Sequence, residues 1–196
     1  QVAVDTVLAT WDPTAPLEPA TLTGAITAAT AAIHQRQAAE PGLSGMRTTL
    51  VVLATDGERA LWAHIGDSRL YLLRGGRVWV QTADHSVPQA LVRAKELTPA
   101  EIRHHPDRNR LLRVVGDDKP LRPELPAAPV TIQTGDAFLL CSDGFWEGVT
   151  EGEMEVALAK ARDAADWLAR MALGLRRKDQ PGQDNYTALA ILVAGA

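Results

Sequence analysis

Residues 48–80 read Thr48-Thr49-Leu50-Val51-Val52-Leu53-Ala54-Thr55-Asp56-Gly57-Glu58-Arg59-Ala60-Leu61-Trp62-Ala63-His64-Ile65-Gly66-Asp67-Ser68-Arg69-Leu70-Tyr71-Leu72-Leu73-Arg74-Gly75-Gly76-Arg77-Val78-Trp79-Val80. Four short runs of β-branched, aliphatic and aromatic residues are separated by Asp56-Gly57, Gly66-Asp67 and Gly75-Gly76. Asp-Gly and Gly-Gly supply the positive φ values of two-residue hairpin turns. The simplest topology for the stretch is therefore a four-stranded antiparallel meander.

Upstream the period is helical. Val4, Val7, Leu8 and Trp11 fall on one face of a segment from Val2 to Trp11, which no Ser, Thr, Asp or Asn cap precedes. A second, alanine-rich helix is expected from about Glu18 to Arg36, after the proline-bearing break Asp12 to Pro19. Downstream, Thr98-Pro99-Ala100-Glu101 has the pattern of a capping box and predicts a short helix. The proline-rich run Pro120 to Pro129 reads as a loop. Val130-Thr131-Ile132 and Ala137 to Cys141 read as two strands around the tight turn Thr134-Gly135-Asp136. Apolar positions every three or four residues between Glu151 and Lys178 predict one helix or two in line, and Tyr186 to Val193 predicts a last, alternating and buried strand. With no internal repeat, the reading is a single α/β domain with antiparallel sheet.

The whole-chain balance narrows the function classes. The 196 residues are 46% hydrophobic and 22% charged, which fits a globular domain and excludes a disordered or fibrous chain. A net charge of −4 argues against nucleic acid as a partner, and no apolar run reaches the length of a membrane span. The lone Cys141 cannot form an internal disulfide, which favours a reducing, cytoplasmic compartment.

Three aspartates stand where a strand meets a turn: Asp67 in Gly66-Asp67-Ser68-Arg69, Asp143 in Cys141-Ser142-Asp143-Gly144, and Asp184 in Gly182-Gln183-Asp184-Asn185. Taken singly, each is by default a turn residue bonding its own backbone. Taken together, they could project from one sheet edge into one cleft, where mutual repulsion demands a hard cation. Oxygen-only donors without a Cys or His set point to magnesium or manganese rather than zinc.

From about Gly45 to Val193 the chain resembles the metal-dependent serine/threonine protein phosphatases of the PP2C type, in their compact bacterial form. The resemblance is carried by Ala63-His64-Ile65-Gly66-Asp67-Ser68-Arg69-Leu70-Tyr71, Asp84-His85-Ser86, His105-Pro106 with Arg108-Asn109 and Leu112-Arg113-Val114-Val115-Gly116, Leu140-Cys141-Ser142-Asp143-Gly144, and Asp184-Asn185. It implies an α+β fold, a four-layer αββα sandwich of two antiparallel sheets flanked by helices. It also implies hydrolysis of phosphoserine and phosphothreonine by attack of a water or hydroxide bridging two divalent ions about 3.5–4 Å apart. Such an enzyme opposes a bacterial Ser/Thr kinase. On this resemblance Asp143 and Asp184 are catalytic residues that ligate one ion of the Mn2+ or Mg2+ pair, and Asp67 with Asp143 helps hold a weaker third ion. The span Asp84 to Gly116 corresponds to a flap beside the catalytic cleft. Phe145-Trp146-Glu147 resembles members that accompany type VI secretion kinases, so a kinase or target of such a system is an expected partner. Compact members of this kind act as monomers.

One part of the pattern is missing. The family's phosphate-gripping Arg, an acidic residue and an Asp-Gly-x-Gly-Gly turn precede its first long helix, and none occurs in residues 1–196. Either the sequence omits an N-terminal piece of a single phosphatase domain, or it is a catalytically dead relative acting as a binding module. Omission is the reading adopted, because an absent hairpin would leave unpaired strand edges; made alone, these 196 residues are expected to show little or no activity. Competing chemistry is weaker. A cysteine phosphatase needs Arg six positions after Cys141, where Glu147 stands, so Cys141 reads as a buried apolar residue. His85, His104 and His105 read as surface or flap residues, and His64 as a packed residue at the core edge. Trp62, Trp79, Trp146 and Trp167 read as packing residues, with Trp146 alternatively bordering the cleft. Arg69 either pairs with a carboxylate or is a solvated strand-end charge.

Overall fold

The computed structural model describes residues 1–178 and 184–195. In chain order the elements are α1 (Val2–Thr10), α2 (Pro19–Ala39), β1 (Leu50–Thr55), β2 (Arg59–Ile65), β3 (Arg69–Arg74), β4 (Arg77–Gln81), α3 (Val87–Arg93), β5 (Val130–Thr131), β6 (Ala137–Cys141), α4 (Asp143–Trp146), α5 (Glu151–Ala159), α6 (Ala164–Lys178) and β7 (Ala188–Leu192), with 3-10 turns at Pro41–Leu43 and Pro99–His104. They fall into two compact units, Gln1–Asp67 with Asp84–Thr131, and Ser68–Ala83 with Ile132–Ala196. Each contains one antiparallel sheet and its own helices, the α+β composition the resemblance implies.

The first unit holds the sheet β1-β2-β5. Around Asp56-Gly57, β1 and β2 form the expected hairpin, from Leu50 opposite Ile65 to Thr55 opposite Ala60, and Gly57 takes φ +93°. On α2, Leu22, Ile26, Ala29 and Ile33 share one buried face and join Leu50, Leu61, Ala63 and Ile65 of the strands in one core. Thr23 and Thr27 of α2 return their hydroxyls to the carbonyls of Pro19 and Thr23 one turn back, at 2.8 Å each, so these two hydroxyls are satisfied within the helix. On α1 the buried face is Ala3 and Val7, whereas Val4 and Leu8 point outward, contrary to the sequence expectation.

The second unit holds the sheet β4-β3-β6-β7. The Gly75-Gly76 turn, φ +58° and +76°, closes the expected β3–β4 hairpin. The helical span expected between Glu151 and Lys178 is two helices, α5 and α6, pinned together by the Trp167 indole N–H donating to the Met154 carbonyl at 3.0 Å.

The four-stranded meander does not form. No ladder joins β2 to β3; Gly66-Asp67-Ser68 instead carries the chain from one sheet to the other. The reason lies in β3, whose residues Arg69 to Leu73 are all buried. Its two edges are taken by β4 and β6, so no edge is left for β2. The expected hairpin at Thr134-Gly135-Asp136 fails in the same way: β5 pairs with β2, β6 pairs with β3 and β7, and Gly135 donates to Val193 at 2.9 Å. As the end strand of its sheet, β7 is shorter than expected and leaves Leu189 and Ile191 exposed. Trp79 is also exposed, under the Arg74 guanidinium at 4.5 Å, while Trp62, Trp146 and Trp167 are buried as expected.

Candidate metal centre

Asp67 follows the end of β2 by two residues, and only Gly66 lies between. Gly66 has φ +104°, and a Cβ there would run into the Thr49 side chain, so glycine alone satisfies the turn. Both backbone groups of Gly66 are taken by one residue. The His85 N–H donates to the Gly66 carbonyl at 2.9 Å, and the Gly66 N–H donates to His85 Nδ1 at 3.1 Å. Asp67 is 5% exposed. A carboxylate that deep must be met by donors or a cation, and its hard oxygens suit a divalent ion of the magnesium or manganese type.

Asp143 and Asp184 belong to the second unit. Asp143 opens α4, half-buried, with its Oδ1 accepting from Gly144 N at 2.9 Å. The strand ends around it are knitted: Ser142 N donates to the Thr187 carbonyl, and Thr187 N to Ser142 Oγ, each at 3.0 Å. A Cβ on Gly144 would lie 2.5 Å from the Asn185 carbonyl oxygen and 3.1 Å from that of Asp184. The absence of that Cβ lets the Asp143 turn close onto the Asp184-Asn185 backbone. Thus the backbone turns that carry two of the three expected ligands meet within one unit, Asp184 exposed and its Oδ1 accepting from Asn185 N at 2.7 Å. Gly182 and Gln183 of the same motif lie outside the described residues.

Against Trp146 of α4, the helix that Asp143 opens, sits a buried cation. Arg69, 3% exposed, lays its guanidinium 3.4 Å from the centre of the Trp146 ring, donates to the Tyr71 hydroxyl at 3.1 Å, and stands 3.9 Å from the Glu151 carboxylate. The Tyr71 hydroxyl donates in turn to Glu151 at 3.2 Å, and burial drives the Tyr71 pKa far upward, keeping the phenol a neutral donor. Of the two readings of Arg69, pairing with a carboxylate is the one observed. Trp146 is fully buried under it and does not border a surface. This Arg69-Tyr71-Glu151-Trp146 cluster escaped the sequence reading, although residues 69 and 71 share a strand face by their spacing of two.

The histidines divide. His104 is exposed, and half-buried His105 accepts from the Asp107 amide at 3.1 Å through Nδ1. His85 is not a surface residue: it is 3% exposed, because its hydrogen bonds to Gly66 draw Asp84-His85-Ser86 into the first unit. Its ring stacks on that of buried His64 at 4.8 Å and 2° from parallel, with Nε2 3.4 Å from Glu124. Burial first, then His64 and Arg113, pull the His85 imidazole down to about 4 against the pull of Glu124. Among the described residues, His64, His85 and Glu124 are the one group of His, Cys, Asp or Glu donors gathered within 4.8 Å. Glu124 had no signal in the sequence, since its backbone pairs with His64 from inside a proline-rich run. Cys141 is buried in β6, as expected of a structural thiol.

Among the described residues no helix is long and apolar enough to cross a membrane. Residues 1–189 match the model of the family described as Protein phosphatase 2C. The chain is 35% identical over 153 residues to the protein phosphatase PhpP of Streptococcus pneumoniae, a match that covers 75% of this chain and 58% of that relative. Among solved structures, the catalytic domain of the serine threonine protein phosphatase PstP in complex with two manganese ions superposes with a TM-score of 0.81 at 31% identity, over 98% of this chain and 80% of the other. PppA, a key regulatory component of T6SS in Pseudomonas aeruginosa, superposes with a TM-score of 0.73 at 35% identity, over 96% and 76% of the two chains. The chain thus spans somewhat over half the length of the curated relatives it matches.

Proposed function

This chain belongs to the protein phosphatase 2C family, and from that premise we propose that the protein containing it is a metal-dependent phosphatase acting on phosphoserine and phosphothreonine in proteins, opposing a Ser/Thr kinase. The observation that carries the reading is the family match over residues 1–189, together with the Asp143 and Asp184 turns drawn onto one another by Gly144. In this proposal Asp143 and Asp184 hold Mn2+ or Mg2+ as the catalytic ligands, and Asp67 holds a further, weaker ion. Manganese is supported by the PstP structure named for two such ions. The donor set is all oxygen, which suits a hard cation. A bound divalent pair supplies Lewis acidity to the phosphoryl oxygens and lowers the pKa of the attacking water.

The chain's own residues supply position. Gly144 permits the contact that joins the Asp143 and Asp184 turns, Arg69 and Glu151 hold Trp146 and with it the helix that Asp143 opens, and Gly66 sets the direction of Asp67. Preorganised ligands of this kind spare the site reorganisation when charge develops on the phosphoryl group. The likeness to PppA supports substrates in a type VI secretion system. Phe145 and Trp146 lend that no further support, since both are buried and unavailable to a partner. A buried Cys141 that is the single cysteine of the sequence accords with work in the reducing cytoplasm. The test is hydrolysis of an aryl phosphate and of phosphothreonine peptides with manganese or magnesium; no turnover anywhere between about pH 7 and 9, where a metal-activated water is available, would overturn the proposal.

A further inference from the structure

We propose that His85 is a positioning residue for Asp67: its backbone N–H and its ring Nδ1 clamp Gly66 from both sides and so fix the carboxylate that follows. The proposal rests on the reading of Asp67 as a metal ligand. Gly66 has one donor and one acceptor, and His85 engages both, at 3.1 and 2.9 Å. No other residue lies between the end of β2 and Asp67, so the placement of the Asp67 Cα depends on what holds Gly66 in its positive-φ conformation.

The clamp is itself locked. Because Nδ1 accepts, the ring proton is assigned to Nε2, which faces the Glu124 carboxylate at 3.4 Å. Glu124 is tied to β2 by two backbone hydrogen bonds with His64, both 3.0 Å, and its carboxylate also takes Arg93 at 3.1 Å. Stacking on His64 holds the His85 ring flat. From the other side the His85 carbonyl accepts from Leu112 at 2.7 Å, and Val87 donates to the Arg110 carbonyl at 3.0 Å, so both ends of the 86–112 loop reach the turn before Asp67 through this one histidine.

The same three side chains invite a second reading, a zinc-type site. Geometry disfavours it. A metal lies in the plane of every imidazole that ligates it, and two rings stacked face to face, 2° from parallel, share no such point.

Three variants test the clamp in the protein containing this chain: His85→Ala, which removes the ring; His85→Asn, whose side-chain oxygen can replace Nδ1 as acceptor; and Asp67→Asn as reference. The readouts are manganese affinity by titration calorimetry, amide exchange of Gly66 in the metal-free protein, and the 15N shifts of the His85 ring. We expect His85→Ala to speed Gly66 exchange and to weaken the Asp67-dependent manganese site by about 10- to 100-fold, the usual cost of losing a group that orients a ligand. Exchange in β6 should stay unchanged, and His85→Asn should restore most of the affinity. A ring proton on Nδ1, or unaltered Gly66 exchange and manganese affinity in His85→Ala, would overturn the clamp. Stoichiometric zinc binding lost in His85→Ala would replace it with a chelate. If Asp67→Asn leaves manganese binding unaltered, the metal part of the proposal falls, while tautomer and exchange still judge the clamp by themselves.

Discussion

Gly144→Ala places a methyl group where two backbone turns already meet. The new methyl carbon would stand 2.5 Å from the Asn185 carbonyl oxygen, 3.1 Å from its carbon and 3.1 Å from the Asp184 oxygen. Carbon to carbonyl-oxygen contacts close to about 3.3–3.6 Å, so the two turns must part by about 1 Å. The obstacle is backbone on both sides, and no flexible side chain can swing away. Overpacking of this kind costs about 1–3 kcal/mol, which in a chain of this size lowers Tm by about 2–12 °C. A displacement of about 1 Å between positioning groups costs on the order of 100-fold in rate, so manganese-dependent hydrolysis should fall by that order while the protein still folds. The control is Gly174→Ala in α6, where a Cβ meets nothing within 4 Å; it should gain up to about 1 kcal/mol from helix propensity and leave activity alone. Thermal melts and kcat on an aryl phosphate read both. If Gly144→Ala melts and turns over like the parent, the close approach of the Asp143 and Asp184 turns is not what builds the site.

Asp143→Asn and Asp184→Asn should each abolish turnover with unchanged circular dichroism, since an amide is a poor ligand for a hard cation; parental rates in either would show the ligand assignment to be wrong. Arg69→Met should destabilise by about 1–3 kcal/mol, the cost of losing the Arg69 hydrogen bond to buried Tyr71 and its pairing with a partly solvated Glu151. Denaturant titration checks this, and Arg69→Lys should not rescue it, because an ammonium cannot lie flat on Trp146. The His85 imidazole is held at about 4 in the fold against 6.5 for the free group. Its stability contribution is therefore complete above 6.5 and lost as pH falls toward about 4, so His85→Asn should flatten stability against pH in that window. A parental slope in the variant would contradict the burial of a neutral ring.

The two true hairpins were legible because Asp56-Gly57 and Gly75-Gly76 are turn dipeptides flanked by strand residues. Gly66 was misread because a positive φ serves a change of sheet as well as a reversal within one. What separates the cases is that both edges of β3 are taken, by β4 and by the distant β6, a pairing that no residue type around Gly66 announces. At the candidate site the aspartates themselves were readable from their place at strand ends. Their support was not: Asp84, His85 and Ser86 are polar in sequence yet all buried, and His85 finds its partners on the Gly66 backbone 19 residues away. Glu124 joins through its main chain, which no residue type announces. Arg69 shows the opposite limit, a charge that looks solvated at a strand end until Trp146 and Glu151 close over it.

The central claim is that Asp143 and Asp184 hold a cation on which phosphate removal depends. Its most direct test is hydrolysis of a phosphothreonine peptide by the protein containing this chain, measured with manganese, after chelation, and after manganese is restored. In the parent, turnover should vanish with the chelator and return with the ion, and Asp184→Asn should show none under any condition. Turnover that survives complete chelation, or no turnover with manganese present, would contradict it.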